Sequence, residues 1–105
     1  MNIEKSLILI DDDILVHKTW KMMAEKKGQI LFSYFDVESF MNDLYCYDKD
    51  IRIFIDSNLK NGKKGEREAE RITKVGFFNI HLASGEILDK LPPWILSQNG
   101  KCFPD

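Results

Sequence analysis

A short apolar run stopped by three aspartates, Ser6-Leu7-Ile8-Leu9-Ile10 followed by Asp11-Asp12-Asp13, constrains the fold more than any other feature of the sequence. A strand with no polar face must be buried on both sides, which is the condition of a strand inside a parallel sheet. The period then changes. Val16, Trp20, Met23 and Ala24 recur at helical spacing, and Gly28 stands where a helix C-cap belongs. Residues 29–35 are β-branched and aromatic enough for a second strand. Asp36 then takes an N-cap position ahead of Val37, Phe40, Met41, Leu44 and Tyr45 on one helical face. Residues 51–55 repeat the opening pattern and end in Asp56, and loop chemistry fills 58–65. A charged helix is predicted over 66–74, with Ala69, Ile72 and Val75 as its apolar stripe, and a fourth strand over 78–83 leads into Ser84-Gly85. A short helix over 86–90, the Pro92-Pro93 break and a last strand near 94–97 account for the remainder. Five strands, three full helices and a stunted fourth predict a parallel sheet covered on both faces through right-handed crossovers.

Composition narrows the function classes. The 105 residues read as a single domain over 1–105, without linker, repeat or low-complexity block. No run approaches the roughly 20 apolar residues of a membrane span. Met1 is followed closely by Glu4 and Lys5 with no apolar h-region, so no leader is expected and the domain is assigned to the cytoplasm. Fifteen basic residues against seventeen acidic make no electrostatic case for nucleic acid. Cys46 and Cys102 form no C-x-x-C and are expected to stay reduced.

In a parallel α/β sheet the functional crevice lies at the carboxyl ends of the strands. Those ends carry Asp11-Asp12-Asp13 after the first strand, Asp56 after the third and Ser84 after the fourth, and Lys101 follows the last. Acids that converge at one edge repel one another unless a hard cation sits among them, and Mg²⁺ suits such a site. Asp56 then becomes a candidate nucleophile toward phosphorus, with Ser84 and Lys101 as a hydroxyl donor and a point charge for phosphoryl oxygens. A lone aspartate at such a position is more often a turn or cap residue; here the joint pattern carries the argument. His17 and His81 have no companion at metal-ligand spacing, and Trp20, Met22 and Met23 read as core rather than a cofactor box, with one of them free to face outward.

With these residues in place the chain resembles the receiver domains of two-component signalling. The matching segments are Leu7 to Asp13, Ile53-Phe54-Ile55-Asp56-Ser57-Asn58-Leu59, Leu82-Ala83-Ser84-Gly85, and Lys101 with Phe103. The resemblance implies a flavodoxin-like doubly wound sheet of order 2-1-3-4-5, with a shortened fourth helix and no fifth. It implies a phosphorelay in which Asp56 is the phosphoacceptor and the domain catalyses its own phosphorylation and dephosphorylation. Asp12 would contact Mg²⁺ directly and Asp11 through water, with Asp56 and the main-chain carbonyl of Asn58 completing the ligand set; Asp13 has no family role beyond the turn and reads as the cap of the first helix. The implied partner is a histidine kinase or histidine phosphotransfer domain, which Lys60, Lys63 and Lys64 would help to steer if they are more than a solvated loop.

The departures from that family are specific. Lys60 and Cys102 stand where prolines are usual, which puts the cis peptide after Lys101 in doubt, and Gln98 occupies the place of the switch aromatic. The interval from Ser84 to Lys101 is short and resembles truncated receivers at the C-terminal ends of hybrid sensor histidine kinases. A haloacid-dehalogenase reading could use Asp11, Asp13, Ser84 and Lys101, but it lacks an acidic pair after Lys101 and leaves Asp56 without a role. The alternative kept beside phosphotransfer is a non-enzymatic module that retains the pocket and signals by binding. Without a fifth helix, the first helix and the C-terminal segment are expected to expose apolar surface bordered by Trp94, Ile95, Leu96 and Phe103. A homodimer, a docked partner or a missing domain would then cover it, unless the C-terminal tail folds over the gap and seals it.

Overall fold

β1 (Ser6–Ile10) forms where the aspartate-stopped run predicts, and its last four residues are buried. The structure, a computed structural model, describes residues 6–104; Met1, Glu4 and Lys5, whose pattern argues against a leader, lie outside the described residues. α1 (Ile14–Lys26) follows, then β2 (Ile30–Tyr34), α2 (Val37–Asn42) and β3 (Arg52–Ile55). α3 (Gly65–Lys74), β4 (Ile80–Ala83) and β5 (Ser97–Asn99) complete the order. The strands pair in parallel as β2-β1-β3-β4-β5. This is the doubly wound, flavodoxin-like arrangement.

Alternation along β1 explains why its sequence has no polar face. Ile8 and Ile10 join Ile53, Ile55, Ile80 and Leu82 against Val37 and Phe40 of α2 and Ala69 and Ile72 of α3. Leu7 and Leu9 turn the other way, to Phe54, Ala83 and Trp20 of α1. Trp20 is fully buried, whereas Met22 on the same helix is 63% exposed. Capping follows the sequence closely. The Asp13 carboxylate accepts from Leu15 N at 2.9 Å and that of Asp36 from Ser39 N at 2.7 Å, each filling an orphan donor of a first turn. Gly28, just past α1, has φ +68°, a conformation that favours glycine.

Four expectations change, the first being that the last strand forms over Ser97–Asn99 rather than near 94–97. No helix forms over 86–90; between β4 and β5 the chain runs as bends and turns. The predicted face of α2 breaks after Asn42 into a 3-10 turn (Leu44–Cys46), which leaves Tyr45 93% exposed. Trp94 and Ile95 pack into the α2/α3 layer, together with Leu88 and Leu91, rather than beside α1. The indole Nε1–H of Trp94 donates to the Glu66 carbonyl at 2.7 Å, so the helix-free connection is tied to the start of α3. Phe103 does pack on the α1 side, edge-on to Trp20 with ring centroids 5.3 Å apart. No helix follows β5, no cis peptide occurs, and none of the helices is long and apolar enough to cross a membrane, all among the described residues.

Candidate metal centre

The β1–β3 register places the acids side by side. Ile10 pairs with Ile55, so the next residues on each strand, Asp11 and Asp56, become neighbours at the carboxyl edge. Asp56 N–H donates to Ile10 O at 2.9 Å, and Asp11 N–H donates to Tyr34 O at 3.1 Å, which extends both ladders one step past the strands. Asp12 comes in from the adjacent turn. One carboxylate oxygen from each of Asp11, Asp12 and Asp56 lies within 4.8 Å of the others. Asp11 is fully buried, Asp56 is 5% exposed and Asp12 is partly open.

Lys101 meets two of these acids. Its Nζ lies 2.7 Å from Asp11 Oδ2 and 2.9 Å from Asp56 Oδ1. Burial works against the ammonium charge, but the hydrogen bonds to Asp11 and Asp56 outweigh it and hold Lys101 above its ordinary pKa. Burial dominates at Asp11, raising its pKa; the bonds from Lys101 and from Asp13 N–H, which reaches Asp11 Oδ1 at 2.9 Å, offset part of the rise. Three oxygen donors at one point, two of them buried, form a hard-ligand set that could hold a divalent cation. Lys101 supplies the positive charge that two of them need without one.

Two α1 residues position the site, and the sequence reading assigned neither a role in it. His17 Nε2–H donates to the Asp11 main-chain carbonyl at 2.6 Å, while the ring packs on Phe35. Trp20 Nε1–H donates to the Lys101 carbonyl at 2.8 Å and anchors the segment after β5 onto α1. His81 bonds to Ser97 and Asn79 on the sheet face. Only helical spacing marks His17 and Trp20 in the sequence, and such spacing carries no sign of a hydrogen bond to a distant carbonyl.

The loop after Asp56 folds back on itself. Gly65 N–H donates to Ser57 O at 2.8 Å, and Asn58 pairs with Lys64 as an antiparallel bridge. Asn61 and Gly62, both at positive φ, make the tip. The Asn58 amide donates to Glu86 at 2.6 Å and accepts from Lys64 Nζ at 2.7 Å, so its side chain is engaged by those two residues. The Ser57 hydroxyl donates to Glu66 at 2.8 Å. Ser84 is 3% exposed just past β4, and its Oγ accepts from Glu86 N–H at 3.2 Å. Gln98 makes a two-point clasp on the connection: Leu88 N–H donates to Gln98 Oε1, and Gln98 Nε2 donates to Leu88 O, both at 2.8 Å.

The chain matches no protein-family model and no curated protein. The structure thus supplies the fold, the carboxylate cluster and the lysine that bridges two of its members.

Proposed function

We propose that the chain is a phosphoacceptor receiver domain of a histidine-to-aspartate relay. In this reading Asp56 takes a phosphoryl group from a phosphohistidine donor, a histidine kinase or phosphotransfer domain, with Mg²⁺ as the cation. The observation that carries it is the convergence of Asp11, Asp12 and Asp56 with Lys101 at the carboxyl edge of a 2-1-3-4-5 sheet. The fold alone would not, since one fold hosts many functions.

The roles follow from the chemistry of each group. The Asp56 carboxylate attacks phosphorus; the P–N bond to the donor imidazole breaks, and its electron pair remains on the ring nitrogen. Bound Mg²⁺ supplies charge neutralisation for the transferring oxygens. Asp11, Asp12, Asp56 and the main-chain carbonyl of Asn58 would hold that cation, Asp11 through water. Lys101 exchanges a carboxylate for a phosphoryl oxygen as the product forms. The Ser84 hydroxyl, whose oxygen already accepts from Glu86 N–H, has its proton to donate to another phosphoryl oxygen.

Incubation with acetyl phosphate and Mg²⁺ followed by intact mass tests the reading. One phosphoryl adduct is expected on the wild type and none on Asp56→Asn, because an amide is not an anionic nucleophile. Undiminished labelling of the variant moves the acceptor elsewhere. No adduct on the wild type, where a control receiver labels, overturns the proposal. The Gln98 clasp on Leu88 favours a second reading, a pocket-bearing module that signals by binding. Phosphoryl uptake in that case would leave partner affinity unchanged.

A further inference from the structure

The two faces of the sheet are covered unequally. α2, α3 and Ile95 close one of them. On the other, Trp20 of α1 and Phe103 pack over Leu7, Leu9 and Phe54, and beyond Phe103 an open groove of about 490 Å³ runs over β3, β4 and β5. Its floor is the Phe54 ring with the His81 imidazole stacked on it, centroids 5.0 Å apart. Phe103 forms one wall and Ser97 lies toward β5.

Arg52 lines this groove with its guanidinium 5.8 Å from the Phe54 ring centroid. Its Nη2 donates to Gln29 at 3.0 Å, while its Nε is buried without a partner among the described residues. No acidic residue is among the described residues that line the groove. A partly buried guanidinium without a counter-ion is costly, and its planar fork matches a carboxylate. Burial accordingly lowers the Arg52 pKa. α1 packs on this same side of the sheet. α1 exposes Lys18, Lys21 and Lys26 against Glu25, in a chain whose net charge is −2. Leu15 and Met22 are exposed on the same helix.

We propose that this groove docks an acidic amphipathic helix of a partner protein, with its apolar stripe on Phe54 and Phe103 and a carboxylate on Arg52. The gap is of the kind a helix fills in a sheet covered on both faces. Arg52, with no acidic residue among the described lining, selects a partner that brings a carboxylate. The Asp11, Asp12 and Asp56 cluster takes no part.

The test uses the full chain and two designed helical peptides with the same leucine stripe, one flanked by glutamates and the other by lysines. Fluorescence anisotropy should show binding of the Glu peptide alone, weakening as salt is raised. Arg52→Gln should lower that affinity by about tenfold or more, the loss of one charge-assisted hydrogen bond. Phe103→Ser should weaken it independently, and thermal unfolding of both variants checks that they are folded. Amide shifts induced by the peptide should centre on Phe54, His81 and Phe103. Failure of the Glu peptide to bind at millimolar concentration overturns the proposal. So do equal binding of both peptides, indifference to Arg52→Gln, or a homodimer in sedimentation whose formation protects the groove. Phosphoryl uptake on Asp56 is measured separately, so either result can fail without the other.

Discussion

A Cβ placed on Gly65 would sit 1.8 Å from the backbone oxygen of Asp56. The first residue of α3 therefore passes against the strand end that bears the candidate nucleophile, and only glycine leaves room there. The contact is with backbone, so no side-chain rotation relieves it. Gly65→Ala should lower stability by more than about 2 kcal/mol, by forcing apart either the start of α3 or the end of β3. Chemical denaturation measures this, and a loss within about 0.5 kcal/mol, ordinary for a surface site, would contradict it.

Lys101 and a divalent cation should compete for the same acids. Mg²⁺ at 100 times its Kd should stabilise the wild type by about 2.7 kcal/mol, read as a rise in Tm. Asp12→Ala should shrink that gain by removing a ligand. Lys101→Met should destabilise the metal-free protein, because Asp11 and Asp56 lose their counter-charge, and should enlarge the Mg²⁺-dependent gain. A Mg²⁺ titration identical in wild type and Asp12→Ala would place the cation elsewhere.

His81 should make the fold acid-sensitive. Burial, then the charge of Arg52, pushes its pKa below the ordinary 6.5. The unfolded chain gains this proton as pH falls through 6.5, while the folded chain does not until a lower pH. Stability should therefore decline from pH 6.5 downward and level off below the folded value. His81→Phe keeps a ring on Phe54 and removes the titration, so it should flatten this part of the profile. Parallel profiles for the two proteins would exclude His81 as the source.

The Gln98 clasp should govern the connection between β4 and β5. Gln98→Ala deletes both hydrogen bonds to Leu88 and leaves a backbone pair unsatisfied. Amide exchange should speed up at Leu88 and its neighbours while the core strands keep their protection. Unchanged exchange at Leu88 would show that Leu91, Trp94 and Ile95 hold the connection by packing alone.

Much of the architecture was legible in short windows of sequence. The apolar runs ending at Ile10 and Ile55 identify buried strands, and Asp13 and Asp36 act as the caps their positions suggest. Asp11, Asp12 and Asp56 follow as a group, since parallel strands end at one edge and carry their terminal residues there together. Residues 84–96 show the opposite. Ile87, Leu88 and Leu91 fit a short helix by spacing, yet Pro92 and Pro93 limit its length and the Gln98 side chain takes up the Leu88 backbone groups instead.

Strand, helix and cap are written in neighbouring residues, because backbone sterics and the alternation of buried faces act over a few positions. The contacts that assemble the site are not local. Lys101 reaches Asp11 across 90 residues of chain, and Trp20 holds the Lys101 carbonyl from 81 residues away. Trp94 turns to α3 rather than α1, and Gly65 becomes indispensable because of where Asp56 lies. Such pairings depend on strand register and on which face each connection crosses. Those are set by packing the whole sheet at once, and no window of the sequence contains them.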